Sequence, residues 1–356
     1  MRKTSNMKPA PYPSIALSLL LLASSMRLAA SEPVFVLDKF LRENVGLNAG
    51  QIDSVHHGKA VAIVLSSPIP DEVFVFGTVY VEATPETYLQ LANDFDALRK
   101  LPSYLAIQKF SNPPQPSDLA GFTIDAEDLK ELKSCKPGDC EVQLPSEAME
   151  QFQRSINWTA ADSATQANRL AQQMALEALL AYQKGGNAAL GVYRDKGHPA
   201  KVAETFQALL GRSKALPVYL PDLNRLLLEY PAVELGNSHS EFYWEKVNFG
   251  LKPTLRMVQQ IIYRGGSPAA PAYAVALKQL YASHYFQTAL DLTVCIRDAA
   301  RPNEHGFYLI TVKGSQQAGL TGLKGSILRK VAVGKTRSSL ERTLTAIKQR
   351  LETAPQ

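Results

Sequence analysis

The sequence predicts an α+β fold, in which an antiparallel sheet is followed by one long helix at the C-terminus. Strand-length runs of apolar, aromatic or β-branched residues precede that helix; they cover Leu255–Tyr263, Gln279–Thr288, Leu290–Arg297 and Gly306–Lys313. After Gly314 the apolar spacing changes from about two to about 3.6 residues, which is typical of an amphipathic helix. The apolar face of this helix carries Leu340, Leu344, Ile347 and Leu351.

The N-terminal part contributes further predicted strands and two predicted helices. The strands are Lys59–Leu65, Val73–Val81 and Tyr104–Phe110. A short helix is predicted over Phe35–Asn44, and a second over Glu86–Leu98. The second has a clear start, because Thr84 can cap it and Pro85 stands at its first position.

The middle of the chain, residues 118–250, is predicted to be mostly helical. Its helices are expected over Ile124–Lys133, Ser146–Ile156, Asp162–Lys184, Lys201–Leu210 and Pro221–Leu228. We interpret this segment as an insertion that packs as a lid over one opening of the sheet, with a separate all-α domain as the alternative. Residues 32–117 and 251–356 then form the α+β domain on either side of it.

Residues 1–31 are predicted to be an export signal. Arg2 and Lys3 begin a charged segment, and Ile15–Ala23 is a short apolar core. We predict cleavage near Ala30 or Ser31 and a soluble mature protein, exported to the periplasm or the extracellular space. The alternative is an N-terminal membrane anchor, for which the apolar run is short.

Export bears on the three cysteines. Cys135 and Cys140 enclose Lys-Pro-Gly-Asp, a turn sequence, and an oxidising compartment favours a disulfide across such a turn. A metal or redox pair is the alternative, although the spacing fits neither a zinc knuckle nor Cys-x-x-Cys. Cys295 is expected to be a buried free thiol in a strand.

Several common kinds of site are not predicted. The net charge of +5 is too mild to indicate nucleic-acid binding. The six histidines show no metal-ligand spacing, and His56 and His57 are expected to lie solvated in a glycine-bounded turn. Gly334-Lys335-Thr336 is not a phosphate loop, because Arg329 stands where its first glycine is required. We therefore expect no metal and no cofactor.

The stretch VEATPETYLQLANDFDALRKLP, followed by the strand YLAIQKF, resembles the opening of START-like and polyketide-cyclase-like proteins. The resemblance covers Val73–Phe110 and Leu255–Leu351 and implies a helix-grip-like fold, in which the sheet grips the C-terminal helix around a ligand cavity. The whole chain is also similar to an uncharacterised group of exported bacterial proteins, through CKPGDCEVQLP, NAALGVYRDK, YASHYF and GFYLITV. That second resemblance implies export and no mechanism.

The segment Tyr281–Phe286 is the main candidate for a site. On a strand, Ala282, His284 and Phe286 would face one way and the residues between them the other. His284 could act as a general acid or base, or anchor a ligand; the alternative is a core histidine bonded to a neighbour. The predicted ligand-binding residues, with Lys313 beside them, are Tyr263, Arg264, Tyr281, His284, Tyr285 and Tyr308.

These observations predict an exported binding protein for a lipid or another hydrophobic small molecule, held between the sheet and the C-terminal helix. One alternative is an enzyme that uses His284 with a tyrosine or Asp94, and another is an envelope-assembly partner. The last helix could also lie on an anionic membrane surface, although a solvated basic face is the simpler alternative. Its basic residues are Lys324, Arg329, Lys330, Lys335, Arg337, Arg342, Lys348 and Arg350.

Overall fold

An eight-stranded antiparallel sheet forms the centre of the protein, in a computed structural model that describes residues 36–100, 104–248, 252–267, 270–298, 305–317 and 322–353. Its strand order is β1-β2-β10-β9-β8-β7-β6-β3, and β4 pairs only with β5. The strands are β1 Val61–Leu65, β2 Glu72–Val81, β3 Tyr104–Lys109, β4 Val192–Tyr193, β5 Ala200–Lys201, β6 Ser238–Val247, β7 Thr254–Ser267, β8 Ala270–Ala282, β9 Phe286–Ile296 and β10 Phe307–Gln317. The predicted export signal and its cleavage point lie outside the described residues.

The helices are grouped before, between and after the strands. They are α1 Leu37–Phe40, α2 Ala49–His56, α3 Pro85–Ala92, α4 Phe95–Arg99, α5 Ala126–Leu132, α6 Ser146–Ser155, α7 Ser163–Gly185, α8 Val202–Leu210, α9 Leu216–Tyr219, α10 Pro221–Glu229 and α11 Gly322–Thr353. A π-helical turn, Leu41–Val45, continues α1. The predicted α+β class, with a large antiparallel sheet and a C-terminal helix, is confirmed.

Strand β6 was expected to be part of the helical middle segment, and that expectation is wrong. The strand runs over Ser238–Val247 and pairs with both β3 and β7. Its aromatic residues Phe242, Tyr243 and Trp244 are all buried, on alternating faces of the sheet. Aromatic side chains suit a pleated surface covered on both sides, so tertiary packing stabilises a strand here.

The predicted strand Gln279–Thr288 is also wrong, because it joins two strands across a turn. Strand β8 ends at Ala282 and β9 begins at Phe286. Tyr285, in the turn, has a left-handed φ of 63°, which an uninterrupted strand excludes.

The helix predicted over Glu86–Leu98 is divided into α3 and α4. Asn93 ends α3, and the side chain of Asp94 starts α4 by accepting a hydrogen bond from Ala97 N at 2.9 Å. Helix α2 was not predicted, although Asn48 begins it with a capping box that includes Gln51.

The face of the sheet that contacts α11 is called here the helix-side face. Leu340, Leu344 and Leu351 of α11 pack with alternate residues of β2, which include Val75 and Val79. Gly77 lies directly beneath the helix, since a Cβ there would stand 2.8 Å from both Leu340 and Leu344. The predicted apolar face of the last helix is therefore confirmed, and it packs on β1 and β2 at one end of the sheet.

The opposite face of the sheet is covered by the remaining helices. Helices α1 and α2 pack on Phe76 and Tyr308, and α8 and α10 pack on Ile261 and Ala276. Helices α5, α6 and α7 form another cluster, which includes Trp244 of β6. The helical middle segment thus packs on the side away from α11.

The Sγ atoms of Cys135 and Cys140 lie at disulfide-bonding distance, with their Cα atoms 4.8 Å apart. The enclosed turn is closed by a hydrogen bond from Lys136 N to Asp139 O of 3.2 Å. Cys295 is a buried free thiol, as predicted. Within the part of the chain that the structure describes, no helix combines the length and the hydropathy needed to cross a bilayer.

Truncating Leu344 tests the packing of α11 on the sheet. Leu344 is 0% exposed, so we expect Leu344→Ala to lower the free energy of unfolding by about 2–5 kcal/mol, through lost burial and a residual cavity. Leu105, at 52% exposed, is the matched control. Urea denaturation followed by circular dichroism measures both variants, and equal stabilities would contradict this packing.

Candidate functional site

The structure separates the predicted ligand-binding tyrosines from α11. Tyr308 packs with α1 and α2 on the opposite face, and its hydroxyl lies 2.8 Å from His56 Nδ1. Tyr263 packs with α8 and α10 on the same opposite face. Arg264, the next residue of β7, is exposed. Neither tyrosine can therefore line a cavity between the sheet and α11.

The expectation that His56 is solvated is wrong. His56 Nε2 lies 2.8 Å from Asp38 Oδ1, and only 8% of the side chain is exposed. The ring is enclosed because α2, which was not predicted, holds it against β10. His57 is exposed, as expected.

His284 lies in the turn between β8 and β9, where it joins that turn to the helical segment. Its Nδ1 donates to the carbonyl oxygen of Glu141 at 3.0 Å, because a carbonyl can only accept. Its Nε2 lies 2.8 Å from Asp128 Oδ2, and Lys252 Nζ lies 3.0 Å from Asp128 Oδ1. Burial raises the pKa of Asp128, but hydrogen bonds and charges from His284 and Lys252 outweigh it and lower that pKa overall.

Both ring nitrogens of His284 thus have hydrogen-bond partners, so the side chain links the β8–β9 turn to the helical segment. Tyr285 supports the same turn, since its hydroxyl accepts a hydrogen bond from Lys252 N at 3.0 Å. Tyr281 packs beside Tyr193, with ring centroids 6.3 Å apart. Asp94 caps α4 and pairs with Arg350, so the structure does not bring it to His284.

Four charged side chains on the helix-side face form a group that the sequence did not reveal. This charged quartet consists of Glu245 on β6, Arg256 on β7, Asp291 on β9 and Lys313 on β10. Glu245 and Arg256 are direct partners across one ladder, and Asp291 and Lys313 across another. Because side chains alternate along strands, Lys313 shares its face with Leu309, which packs in the α11 cluster.

The quartet is bonded in pairs. Arg256 Nη1 lies 3.0 Å from Glu245 Oε1, and Lys313 Nζ donates to Asp291 Oδ2. Burial raises the pKa of the Glu245 carboxyl, and the nearby Arg256 guanidinium opposes that shift. Burial lowers the pKa of Arg256, but Glu245 and Asp291 together outweigh it. The guanidinium therefore carries a positive charge inside the fold.

Exposure increases steadily across the quartet. Glu245 is 3% and Arg256 12% exposed, whereas Asp291 is 21% and Lys313 36% exposed. The described contacts of the helices surround this region: α11 contacts β1 and β2, α3 contacts β8, and α4 contacts β3. The pair Asp291–Lys313 is therefore the more accessible of the two pairs.

Apolar and neutral polar groups lie beside the charges. Tyr243 and Val258 are buried next to the partly buried Leu277. The amide of Gln279 donates to Phe286 O at 2.9 Å, while its buried Oε1 has no hydrogen-bond partner among the described residues. An unsatisfied buried acceptor is costly, so a donor from a bound molecule or from water fits this position.

The quartet was missed because β6 was assigned to the helical segment and because cross-strand pairing brings together residues far apart in sequence. Of its four residues, the sequence pattern indicates Lys313 alone, as a neighbour of the predicted ligand-binding residues. The aromatic run Phe242–Trp244 was the available signal for the strand that carries Glu245. Among the described residues, no three His, Cys, Asp or Glu side chains come together as metal ligands.

Comparison of the chain with protein-family models, with curated proteins and with solved structures found no match. The site is therefore interpreted from its own geometry.

Breaking the buried pair tests the electrostatics of the quartet. We expect Arg256→Met to lower the free energy of unfolding by about 3–5 kcal/mol, because it leaves the buried carboxylate of Glu245 without its cation. A second change, Glu245→Leu, should restore much of that loss. Arg99→Met breaks the exposed pair with Asp96 and should cost less than about 1 kcal/mol. Equal losses for Arg256→Met and Arg99→Met in urea titrations would contradict this assignment.

Proposed function

We propose that this chain is an exported binding protein for an amphipathic small molecule such as a lipid. The ligand lies between the helix-side face of the sheet and α11. Its polar head contacts Lys313 and Asp291, and its apolar part packs on Leu277 and the neighbouring side chains. Export and the ligand class carry forward the prediction from the sequence, whereas the residues at the site come from the geometry.

The observation that carries the proposal is the graded exposure of the quartet on the helix-side face, from 3% at Glu245 to 36% at Lys313. Charged residues in a sheet interior cost free energy unless they are paired, and their retention is more common at functional sites than in cores. The unpartnered Oε1 of Gln279 supports the same position for a polar group of the ligand.

The proposal includes a helix-grip-like arrangement, with residues 118–237 as an insertion. The grip of α11 on β1 and β2 supports it. The insertion supports the sheet from the opposite face, so we do not assign it the role of a lid over this ligand. His284 is assigned to that support, because both its ring nitrogens are occupied. Binding is therefore favoured over acid–base catalysis at His284.

The basic face of α11 remains a prediction for contact with an anionic membrane surface. Lys335, Arg337 and Arg342 are exposed on the described part of that helix. Lys348 is bonded instead to Tyr80 O and Glu352. A solvated face explains the exposed residues equally well.

Native mass spectrometry of the full chain, isolated without detergent from its own envelope, tests ligand binding. We expect a bound molecule at near-equal stoichiometry, and solvent extraction should release a compound with an apolar chain and a polar head. Lys313→Met should weaken the affinity about ten-fold or more and so lower the occupancy when ligand is limiting, as expected when a charge-assisted hydrogen bond of about 1.5–3 kcal/mol is lost.

Lys109→Met is the matched control, because Lys109 also forms a cross-strand pair on the helix-side face, with Glu241. It should retain the ligand. A ligand-free mass for the wild-type protein, or equal loss in both variants, would contradict the proposed site.

Alkylation of the thiols tests the disulfide between Cys135 and Cys140. In protein isolated from the periplasm, Cys135 and Cys140 should resist alkylation until a reductant is added, because an oxidising compartment maintains the disulfide. Mass shifts with and without reductant under denaturing conditions measure this, with Cys295 as the internal control for a free thiol. Alkylation of all three thiols without reductant would contradict the disulfide.

A further inference from the structure

A lysine is fully buried on the opposite face of the sheet, away from the charged quartet. Lys278 of β8 is 0% exposed. Its Nζ donates to Tyr182 OH at 2.9 Å and to Asn187 Oδ1. The same atom lies 4.2 Å from the ring centroid of Phe206 and 5.0 Å from that of Tyr182.

The groups that face this amine are neutral. Helix α7 contributes Tyr182, the following turn Asn187, α8 Phe206, and β7 Gln259, which accepts a hydrogen bond from Tyr182 OH at 2.7 Å. No described carboxylate forms an ion pair with Lys278. Burial lowers the pKa of Lys278 to about 7, so the neutral amine, which is the nucleophilic form, is abundant at neutral pH.

A shallow, open surface cleft of about 500 Å³ includes Asn187 in its lining. Its lining comes from the end of α7 with the turn that follows it and from the end of α10 with the segment that follows it, and includes Lys184, Asn187, Leu228 and Tyr230. Asn187 is shared between the two features, because it lines the cleft and its Oδ1 accepts from Lys278. Asn187 therefore contacts the buried amine and also forms part of the cleft wall.

The walls of the cleft are held in place around Asn187. Its Nδ2 donates to Leu227 O at 3.0 Å and to Leu228 O at 2.7 Å. Tyr230 stacks on Tyr182, with ring centroids 5.3 Å apart. Gly186, with φ of 56°, approaches Tyr230 O so closely that an added Cβ would stand 1.7 Å from it. Only glycine allows this contact between the two walls.

We propose that the cleft binds a small aldehyde or ketone and that Lys278 forms an imine with it when the side chain of Asn187 turns aside. The neutral amine attacks the carbonyl carbon, and a carbinolamine forms. Loss of its hydroxyl group as water, with a proton taken from the nitrogen, gives the imine. No oxidant or reductant is needed for this step. Tyr182 OH, bonded to Nζ and to Gln259, is a positioning group for the amine.

Reductive trapping of the imine with cyanoborohydride tests the proposal on the full-length protein. The probes are acetaldehyde and glyoxylate, each with sodium cyanoborohydride, and peptide mass spectrometry locates the modified lysines. At pH 7 about half of the Lys278 amines are neutral, against roughly one in 2,500 for an ordinary lysine. We expect Lys278 to be modified about ten-fold or more faster than any exposed lysine, with a rate that rises through pH 7.

Two variants define the expected pattern further. Asn187→Ala should accelerate modification of Lys278 several-fold by removing its contact with the amine, whereas Lys201→Met, at an exposed lysine outside the cleft, should leave imine formation with acetaldehyde intact. Lys278→Met should abolish the modification, and circular dichroism verifies its fold. The wild-type result stands without that variant: no modification of Lys278, or a rate that rises only near pH 10 as for ordinary lysines, would overturn the proposal.

Discussion

The antiparallel sheet presents alternate side chains to its two faces, and in this protein helices cover both. That constraint places chemically different groups back to back within a single strand. On β8, Leu277 and Gln279 lie on the quartet side, while Lys278 between them is buried beside Tyr182 on the opposite face. Because the two sites lie on opposite faces of the same strand, a substitution at one site does not place a side chain in the other.

The two faces satisfy their polar groups in different ways. On the helix-side face, opposite charges are paired across strands, so burial of Arg256 and Glu245 is compensated by each other. On the opposite face, the described partners of Lys278 are neutral acceptors and aromatic rings. These stabilise the ammonium form less well than a carboxylate would, so burial lowers the pKa of the amine. The first arrangement is suited to holding a polar group, and the second to reacting with one.

The sequence predicted those features that depend on local pattern. The β-branched run of β2 and the apolar stripe of α11 indicated the sheet and its closing helix, and Cys135 and Cys140 were predicted as a pair. Features that depend on pairing were not predicted. The turn at Ser283–Tyr285 contains neither glycine nor proline, so nothing local ended the strand. The members of the quartet lie on β6, β7, β9 and β10, and only the pairing of these strands in the sheet brings them together.

The prediction of the ligand-binding tyrosines failed for the same reason. Tyr263 and Tyr308 lie on strands of the correct sheet, but one step along a strand reverses the face, and both point away from α11. Assigning a face requires knowing which strands are neighbours and where bulges fall. The bulge between Met257 and Val258 adds to this difficulty, because it shifts the register near Arg256.

The most direct test of the central claim is a crystal structure of the protein isolated with its natural ligand. The account predicts non-protein electron density between the helix-side face and α11, with polar atoms in contact with Lys313 or Asp291 and an apolar part against Leu277. Packed protein side chains filling that space in protein shown to carry a ligand, with the ligand bound elsewhere, would contradict it.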